Sequence, residues 1–530
     1  MKAAKRDGEA ANNFGELARR ASILYADRVA IEQGDVALTY SELEERTSRV
    51  AAMLASLGVS PGSAVLLLFP NDYRFPEALL GVLRAGGVAV PANTRLAPDT
   101  LVYLAAHSEA VAIIAHGDLA EQAERIRAEA PTVRHVVVLD GELDGALPYD
   151  ELLAAASPRF ETVPVAQDDL ALLMYTSGST GMPKGCMLSH ASKWFQARSS
   201  ARTMLHDEDD KALVMGPLYH ANALWACMLP MLFVGGGLVI LPGFEPVAVI
   251  EAVGRYRPTY TSGTPSMFSL LLAEHEALAR VDVTSIELLL CGSAPVPEEL
   301  MEAITEQFGC DVVESYGLTE GGANVVTPRW GIKKIGSTGL PVPGVRIRVV
   351  DVEDPSRAVG ADEVGELWSI SPANALGYFK NPDTTREKFT PDGWLKTGDL
   401  VKRDAQGYVY FTGRRDDMIN CGGENVYPKE VEAILLQHPE IADAAVVPAA
   451  HTIKGQAPVA WVIPRKHATF TEKDVKEFFL ARGPAYAHPR RVFFIDRFPL
   501  SSTNKLDRSK LEAEARERLP NGLQGKTARG

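Results

Sequence analysis

Short runs of β-branched and aliphatic residues at 64–69, 111–115 and 136–139 alternate with amphipathic helical patterns such as 41–57 along the N-terminal part of the chain. An apolar run of strand length followed by a 3.6-residue period is the signature of βαβ units, which can only be satisfied by parallel sheets covered with helices. The start of the 41–57 pattern reads as a capping box of Ser41 and Glu44. After Gly336 the texture changes to short strands and turns at 344–350, 365–370 and 408–412, which suggests a small antiparallel or barrel-like unit. Beyond a boundary near Asp416, helical patterns at 428–437 and 472–482 and strand patterns near 444–447, 458–463 and 491–495 form a compact α+β unit. The expected fold is therefore α/β. A large N-terminal domain (1–415) carries stacked α/β sheets plus the barrel-like unit, a smaller α+β domain (416–519) comes after it, and the polar tail 520–530 is flexible. A length of 530 residues with 46% hydrophobic content is more than one ordinary core holds.

The segment Tyr175-Thr-Ser-Gly-Ser-Thr-Gly-Met-Pro-Lys-Gly185 follows the apolar run 170–174 directly. Its glycines, Gly178 and Gly181, let backbone N–H groups converge on phosphate oxygens, Thr176, Ser177, Ser179 and Thr180 add hydroxyls, and Lys184 supplies charge. It is not a Walker A loop, because Pro183 precedes Lys184 and Gly185 follows it. By itself the segment also reads as an ordinary surface turn.

The net charge of -14 argues against nucleic acid or an anionic membrane as the main partner. Cys186, Cys227, Cys291, Cys310 and Cys421 are widely spaced, without a zinc or disulfide pattern, and suit a reducing cytoplasm. The N-terminus lacks the apolar core of a secretory signal. The uncharged stretch 221–244 is split by Pro230 and the glycines 235–237 into a helix, a turn and a short strand, so it is read as buried and not as a membrane span.

Four further constellations carry chemistry. In 314–320, Ser315, Tyr316, Gly317, Thr319 and Glu320 occupy what reads as a helix start, where a carboxylate can hold Mg²⁺ against phosphate and an aromatic ring can stack on a base. Asp399 ends a Gly-containing segment fifteen positions before Arg414, and acids in such places bind ribose hydroxyls. Gly422 and Gly423 lie in a turn entering a helix with Asn425, and Lys505 sits among small polar residues near the end.

Taken together these motifs resemble the acyl-adenylating superfamily of acyl-CoA synthetases, nonribosomal adenylation domains and firefly luciferase, most closely the AMP-dependent acyl-CoA synthetase branch. The resemblance runs from Leu38-Thr-Tyr-Ser-Glu-Leu43 through Arg84-Ala-Gly-Gly-Val-Ala-Val-Pro91 to Lys505. It implies ATP, Mg²⁺ and coenzyme A as cofactors, and an acid activated as its adenylate before transfer to CoA. By the same resemblance the loop cradles the β- and γ-phosphates, Glu320 with Thr176 holds Mg²⁺, and Thr319 meets the α-phosphate. Tyr316 and the 292–295 backbone (Gly292, Ser293, Ala294, Pro295) sandwich adenine, and Asp399 with Arg414 takes the ribose. Lys505 bridges carboxylate and α-phosphate in the first half-reaction only. A rotation about Asp416 then presents Gly422, Gly423 and Asn425 to the pantetheine arm.

His220 falls near the reacting carboxylate, as a gate or a packing residue. Trp194, Ala221, Asn222, Ser262, Gly263, Gly322 and Ala323, with Ser293, Ser315 and Gly317, match the acid pocket. These positions are mostly small and none is charged, which favours an apolar acid. Medium- to long-chain fatty acids stand first, with aryl or alicyclic acids and a carrier-protein acceptor as alternatives. Two departures from the pattern stand out: Asn504 replaces the usual glycine before Lys505, and Tyr486-Ala487 replaces the common Tyr-Lys, leaving Arg490 and Arg491 as candidates for the CoA phosphates. The oligomeric state is open, a homodimer included.

Overall fold

The computed structural model describes residues 12–176, 182–294, 296–422, 424–499 and 506–524. They divide into two compact units, residues 1–347 with 369–396, and residues 348–368 with 397–530.

The first unit contains two large sheets. In the eight-stranded sheet the order is Gly377–Tyr378, Lys184–Ser189, Leu170–Thr176, Val88–Pro91, Ala64–Leu68, Ala112–His116, His135–Leu139 and Leu147–Pro148. Pairing is parallel from Leu170–Thr176 to the far edge and antiparallel at the Lys184–Ser189 and Gly377–Tyr378 end. The nine-stranded sheet runs Leu340–Pro341, Gly322–Val326, Asp311–Leu318, Leu288–Gly292, Tyr260–Gly263, Lys211–Val214, Gly237–Ile240, Val29–Gln33 and Val36–Thr39. Its interior is parallel and both edges are antiparallel hairpins. The runs at 64–69, 111–115 and 136–139 are thus central strands buried on both faces, which is why they are continuously apolar.

The helix expected at 41–57 spans Tyr40–Ser56, and its capping box is Thr39 with Glu42, not Ser41 with Glu44. The preceding strand carries the chain to Thr39 in extended geometry, so Thr39 is the first residue able to cap. Glu44 instead accepts from Arg84 Nη1 (3.0 Å) and Ser48 Oγ (3.1 Å). In 221–244 a π-helical segment, Ala223–Met228, continues into the helix Leu229–Val234, with Pro230 in its first turn; Gly235 at φ 85° ends it before the strand Gly237–Ile240. Among the described residues no helix is long and apolar enough to cross a membrane.

The second unit holds a four-stranded sheet ordered Arg346–Val350, Gly365–Ile370, Leu395–Arg403 and Val409–Arg414. A second sheet pairs Glu424–Val426, Ile419–Cys421, Gly455–Pro464 and Ile441–His451, with Arg491–Phe494 parallel to Gly455–Pro464. Helices Pro428–Leu435, Glu472–Leu480 and Arg508–Arg518 complete it. The compact division leaves most of the four-stranded sheet with the C-terminal residues, whereas the sequence places everything before 416 in the first domain. The strand Val409–Arg414 packs on the helix Pro428–Leu435, which ties the sheet to the C-terminal part of the chain. The tail is also shorter than expected. Leu523 N–H donates to Ala450 O (2.7 Å) and Leu523 O accepts from Thr452 N–H (3.0 Å), because this apolar residue completes the core of the unit. Residues 525–530 lie outside the described residues. All five cysteines are free and buried.

Candidate active site

The strands Leu170–Thr176 and Lys184–Ser189 form a hairpin whose register sets Thr176 opposite Lys184. The two residues thereby stand opposite each other at the base of the glycine-rich loop, with a cross-strand spacing of about 5 Å between Cα atoms. Ser177, Gly178, Ser179, Thr180 and Gly181 lie outside the described residues. Below the loop, Tyr175 is tied to His107 Nδ1 (2.8 Å) and flanked by Tyr103.

Two residues along the same strand, Cys186 pairs with Met174 on one side and Tyr378 on the other. Tyr378 donates its hydroxyl proton to Glu320 Oε1 at 2.6 Å, and Ala375 N–H donates to Glu320 O at 2.7 Å. The backbone of Tyr378, which holds Glu320 through its hydroxyl, therefore stands two residues along the ladder from the Thr176–Lys184 pair, about 7 Å at a strand's rise. The segment around it is not a helix start. Asp311–Leu318 and Gly322–Val326 are neighbouring antiparallel strands of the nine-stranded sheet, and 319–321 is the turn between them, tied to Ala375 and to Tyr378 of the eight-stranded sheet through Glu320.

The donor chemistry fits Mg²⁺: one oriented carboxylate with a nearby hydroxyl, the remaining positions belonging to phosphate oxygens and water. Among the described residues no cluster of three or more His, Cys, Asp or Glu could hold an ion unaided.

Gly292 pairs with Ser315 across parallel strands, and a Cβ on Gly292 would lie 2.7 Å from Ser315 O, so only glycine allows this approach. Ser293 follows at φ 68°, a left-handed conformation, and both it and Ala294 are exposed. Pro295 lies outside the described residues. Tyr316 is half-buried opposite Val325. Two positions earlier, burial pushes the Glu314 carboxyl up to about 8.

Among the positions expected to line the acid pocket, Asn222 Oδ1 accepts from Ser262 Oγ at 2.9 Å, beside the buried Gly263. Ala221 is half-buried, and the His220 ring lies edge-on to Tyr219 at 4.8 Å. Ala323 pairs with Gly317. Gly322, at φ 70°, leaves no room for a Cβ against Gln196 Oε1. Trp194, expected at the same pocket, makes its contacts with the N-terminal residues. Its ring packs on Phe14 at 4.9 Å, its Nε1–H donates to Asn12 O (3.1 Å), and Arg20 lies over its face. On the helix His190–Met204, Lys193 and Gln196 occupy the face turned to Trp225 and Gly322, which points their neighbour Trp194 toward the N-terminal helix.

Sequence reasoning missed Tyr378, Lys193 and Trp225. Tyr378 belongs to a two-residue strand without a sequence signature. Lys193, between a serine and a tryptophan, looks like any solvated lysine. It is nevertheless fully buried, and desolvation pushes its ammonium down to about 7.

In the second unit Asp399 pairs with Arg414 across the ladder, Oδ1 to Nε 3.5 Å, with the carboxylate buried. Asp416 occupies the turn immediately after that strand. Gly422, at φ 68°, forms the tip of the hairpin that pairs Asn420 with Asn425. Gly423 and Lys505, with Asn504, lie outside the described residues. Just after Lys505 the chain is anchored: Arg508 donates to Val446 O and to Glu432 Oε1, each at 2.6 Å. Arg491 pairs with Glu472 (3.1 Å), and Arg490 contacts His488.

Residues 18–379 match the model of the AMP-binding enzyme family, and residues 430–505 match the AMP-binding enzyme C-terminal domain. The feruloyl-CoA synthase of Amycolatopsis sp is 36% identical over 494 residues, covering 92% of this chain and 96% of the relative. The long-chain-fatty-acid–CoA ligase of Salmonella typhimurium is 32% identical over 540 residues, covering 96% and 95%. Among solved structures, the anthranilate CoA ligase AuaEII in complex with anthranoyl-AMP superposes with a TM-score of 0.88 at 28% identity, over 95% of this chain and 97% of that one. A benzoate CoA ligase from Burkholderia xenovorans LB400 gives 0.85 at 30% identity, over 94% and 99%. The chain belongs to the AMP-binding enzyme family, as an AMP-forming acid–thiol ligase of its acyl-CoA synthetase branch.

Proposed function

We propose that the chain activates a compact, predominantly apolar carboxylic acid, an aryl acid in preference to a long-chain fatty acid, by ATP-dependent adenylation followed by transfer to CoA. The observation that carries the adenylation is the ladder that sets Thr176 and Lys184 two residues from the Tyr378–Glu320 pair. The acid oxygen attacks the α-phosphorus, the bond from that phosphorus to the α,β-bridging oxygen breaks, and pyrophosphate leaves. Charge accumulates on the departing end, where Lys184 stands. Mg²⁺, held by Glu320 and Thr176, would neutralise phosphate charge there. Thr319 takes the α-phosphate, Tyr316 with residues 292–294 the adenine, and Asp399 with Arg414 the ribose. Lys505 neutralises the attacking carboxylate and the α-phosphate.

In the second half-reaction the CoA thiol attacks the acyl carbon and AMP departs. A rotation at Asp416 exchanges Lys505 for the Gly422 hairpin, where a missing Cβ admits a pantetheine arm. The aryl preference rests on Trp225. This buried indole stands three residues beyond Asn222, and an aromatic ring there favours a planar aryl group through ring-on-ring packing. The relatives carry acyl groups as different as feruloyl and long-chain, so the family alone leaves the acid open. Five buried free thiols support a reducing, cytoplasmic setting.

The test is pyrophosphate release against a panel of fatty, aryl and alicyclic acids, with free CoA, a phosphopantetheinylated carrier protein, or no acceptor. Aryl acids with free CoA are expected to lead. Highest turnover with a long-chain fatty acid would refute the acid assignment, and transfer to the carrier alone would refute the CoA step.

A further inference from the structure

Lys193 is a buried cation that the proposed chemistry does not use. Its side chain is fully enclosed, and Nζ has no hydrogen-bond partner among the described residues. Nζ lies 4.0 Å from the centroid of the Trp225 ring, and the buried Cys186 thiol is close enough to interact with it electrostatically. A cation–π contact offsets only part of the desolvation of an ammonium. The Trp225 indole N–H is also buried without a partner, and Asn324, two residues beyond Gly322, has both amide atoms unsatisfied.

The location is as telling as the isolation. Trp225 follows Asn222 by three residues, and Asn222 is bonded to Ser262. Gln196, three residues after Lys193 on the same helix, abuts Gly322. Lys193 therefore lies between the two segments matched to the acid pocket. Its cap, Trp225, belongs to the π-helical segment Ala223–Met228, a rare irregularity that is frequent at functional sites. An ammonium and an indole N–H offer donors only, so the group that completes them is an acceptor.

We propose that Lys193 and Trp225 form the receptor for an acceptor oxygen, a second carboxylate or a phenolic oxygen, at the end of the acid remote from its reacting carboxylate. This rests on the ligase reading given above. Movement of the Trp225 ring on its π-helical segment uncovers the ammonium, and the oxygen takes its place as the partner of Nζ. Lys193 is then a specificity-determining residue, selecting oxygenated over unsubstituted acids.

The test uses full-length enzyme and matched pairs of acids, benzoate against terephthalate and cinnamate against 4-hydroxycinnamate and 4-carboxycinnamate, with kcat/KM read from pyrophosphate release. Wild type is expected to prefer one oxygenated member about 100-fold, the scale of one buried charge-assisted hydrogen bond. Lys193→Met should reduce that ratio to near one, and Lys193→Arg should restore part of it. Equal losses on both members of a pair would assign Lys193 to folding alone and overturn the proposal, as would an unchanged ratio. Wild type inactive on all of these aryl acids would instead overturn the aryl-acid reading, and this one with it.

Discussion

Replacing Lys193 by methionine keeps the length of the side chain and removes its charge, so the variant isolates what the enclosed ammonium costs the fold. Burial lowers the ammonium from 10.5 to about 7. A difference of about 3.5 pH units corresponds to about 5 kcal/mol at 1.36 kcal/mol per unit. Between pH 7 and 10.5 the unfolded chain holds a proton that the folded chain has released, so stability rises with pH across that window; below 7 the penalty is constant. Loss of the contact with Trp225 returns about 1–2 kcal/mol against the variant. Lys193→Met should therefore be more stable than wild type by about 3 kcal/mol at pH 6–7, with the advantage vanishing toward pH 10.5. Urea midpoints of both proteins across pH 6–10 measure this, because every other titrating group is common to the pair. A variant no more stable than wild type at pH 6–7, or an advantage that does not change with pH, would refute the assignment of an unmet buried charge.

Three further perturbations probe the site. Tyr378→Phe removes the hydrogen bond that orients Glu320 and should slow acid-dependent ATP–pyrophosphate exchange about 10-fold while raising the Mg²⁺ requirement, read from exchange rates across a metal titration. Lys505→Ala should slow adenylation about 10²- to 10³-fold yet still convert a supplied acyl-adenylate to thioester; equal loss in both assays would end its one-step role. Arg508→Met removes one of the two cations on the buried Glu432, leaving Lys429 at 2.8 Å, and should cost the second unit about 2 kcal/mol, seen as faster proteolysis within residues 416–524 with no change in the first unit.

The strands at 64–68, 112–116 and 135–139 are legible in the sequence because each is buried on both faces and needs no partner residue to be recognised. Thr39 is not legible as the cap, since whether Thr39 or Ser41 caps depends on where the preceding strand releases the chain. The turn carrying Glu320 reads as a helix start because Thr and Glu suit both, and only the pairing of Gly317 with Ala323 decides it. The helix Arg508–Arg518 has little sequence signature because its buried stripe is just Leu511 and Ala515. At the site, glycines and charged residues in motifs are legible. Tyr378 and Lys193 are not, because their roles arise from neighbours far apart in sequence: Glu320 for one, Trp225 for the other.

The burial of all five cysteines has a practical side. Enclosure pushes the thiols of Cys227 and Cys310 up to about 12 and those of Cys186 and Cys291 upward as well, so the nucleophilic thiolate is scarce at neutral pH. The native chain is thus nearly silent toward maleimides. One cysteine introduced on the surface of each unit would be labelled almost alone, giving a two-dye reporter of the rotation proposed at Asp416 without first stripping the protein of its own thiols.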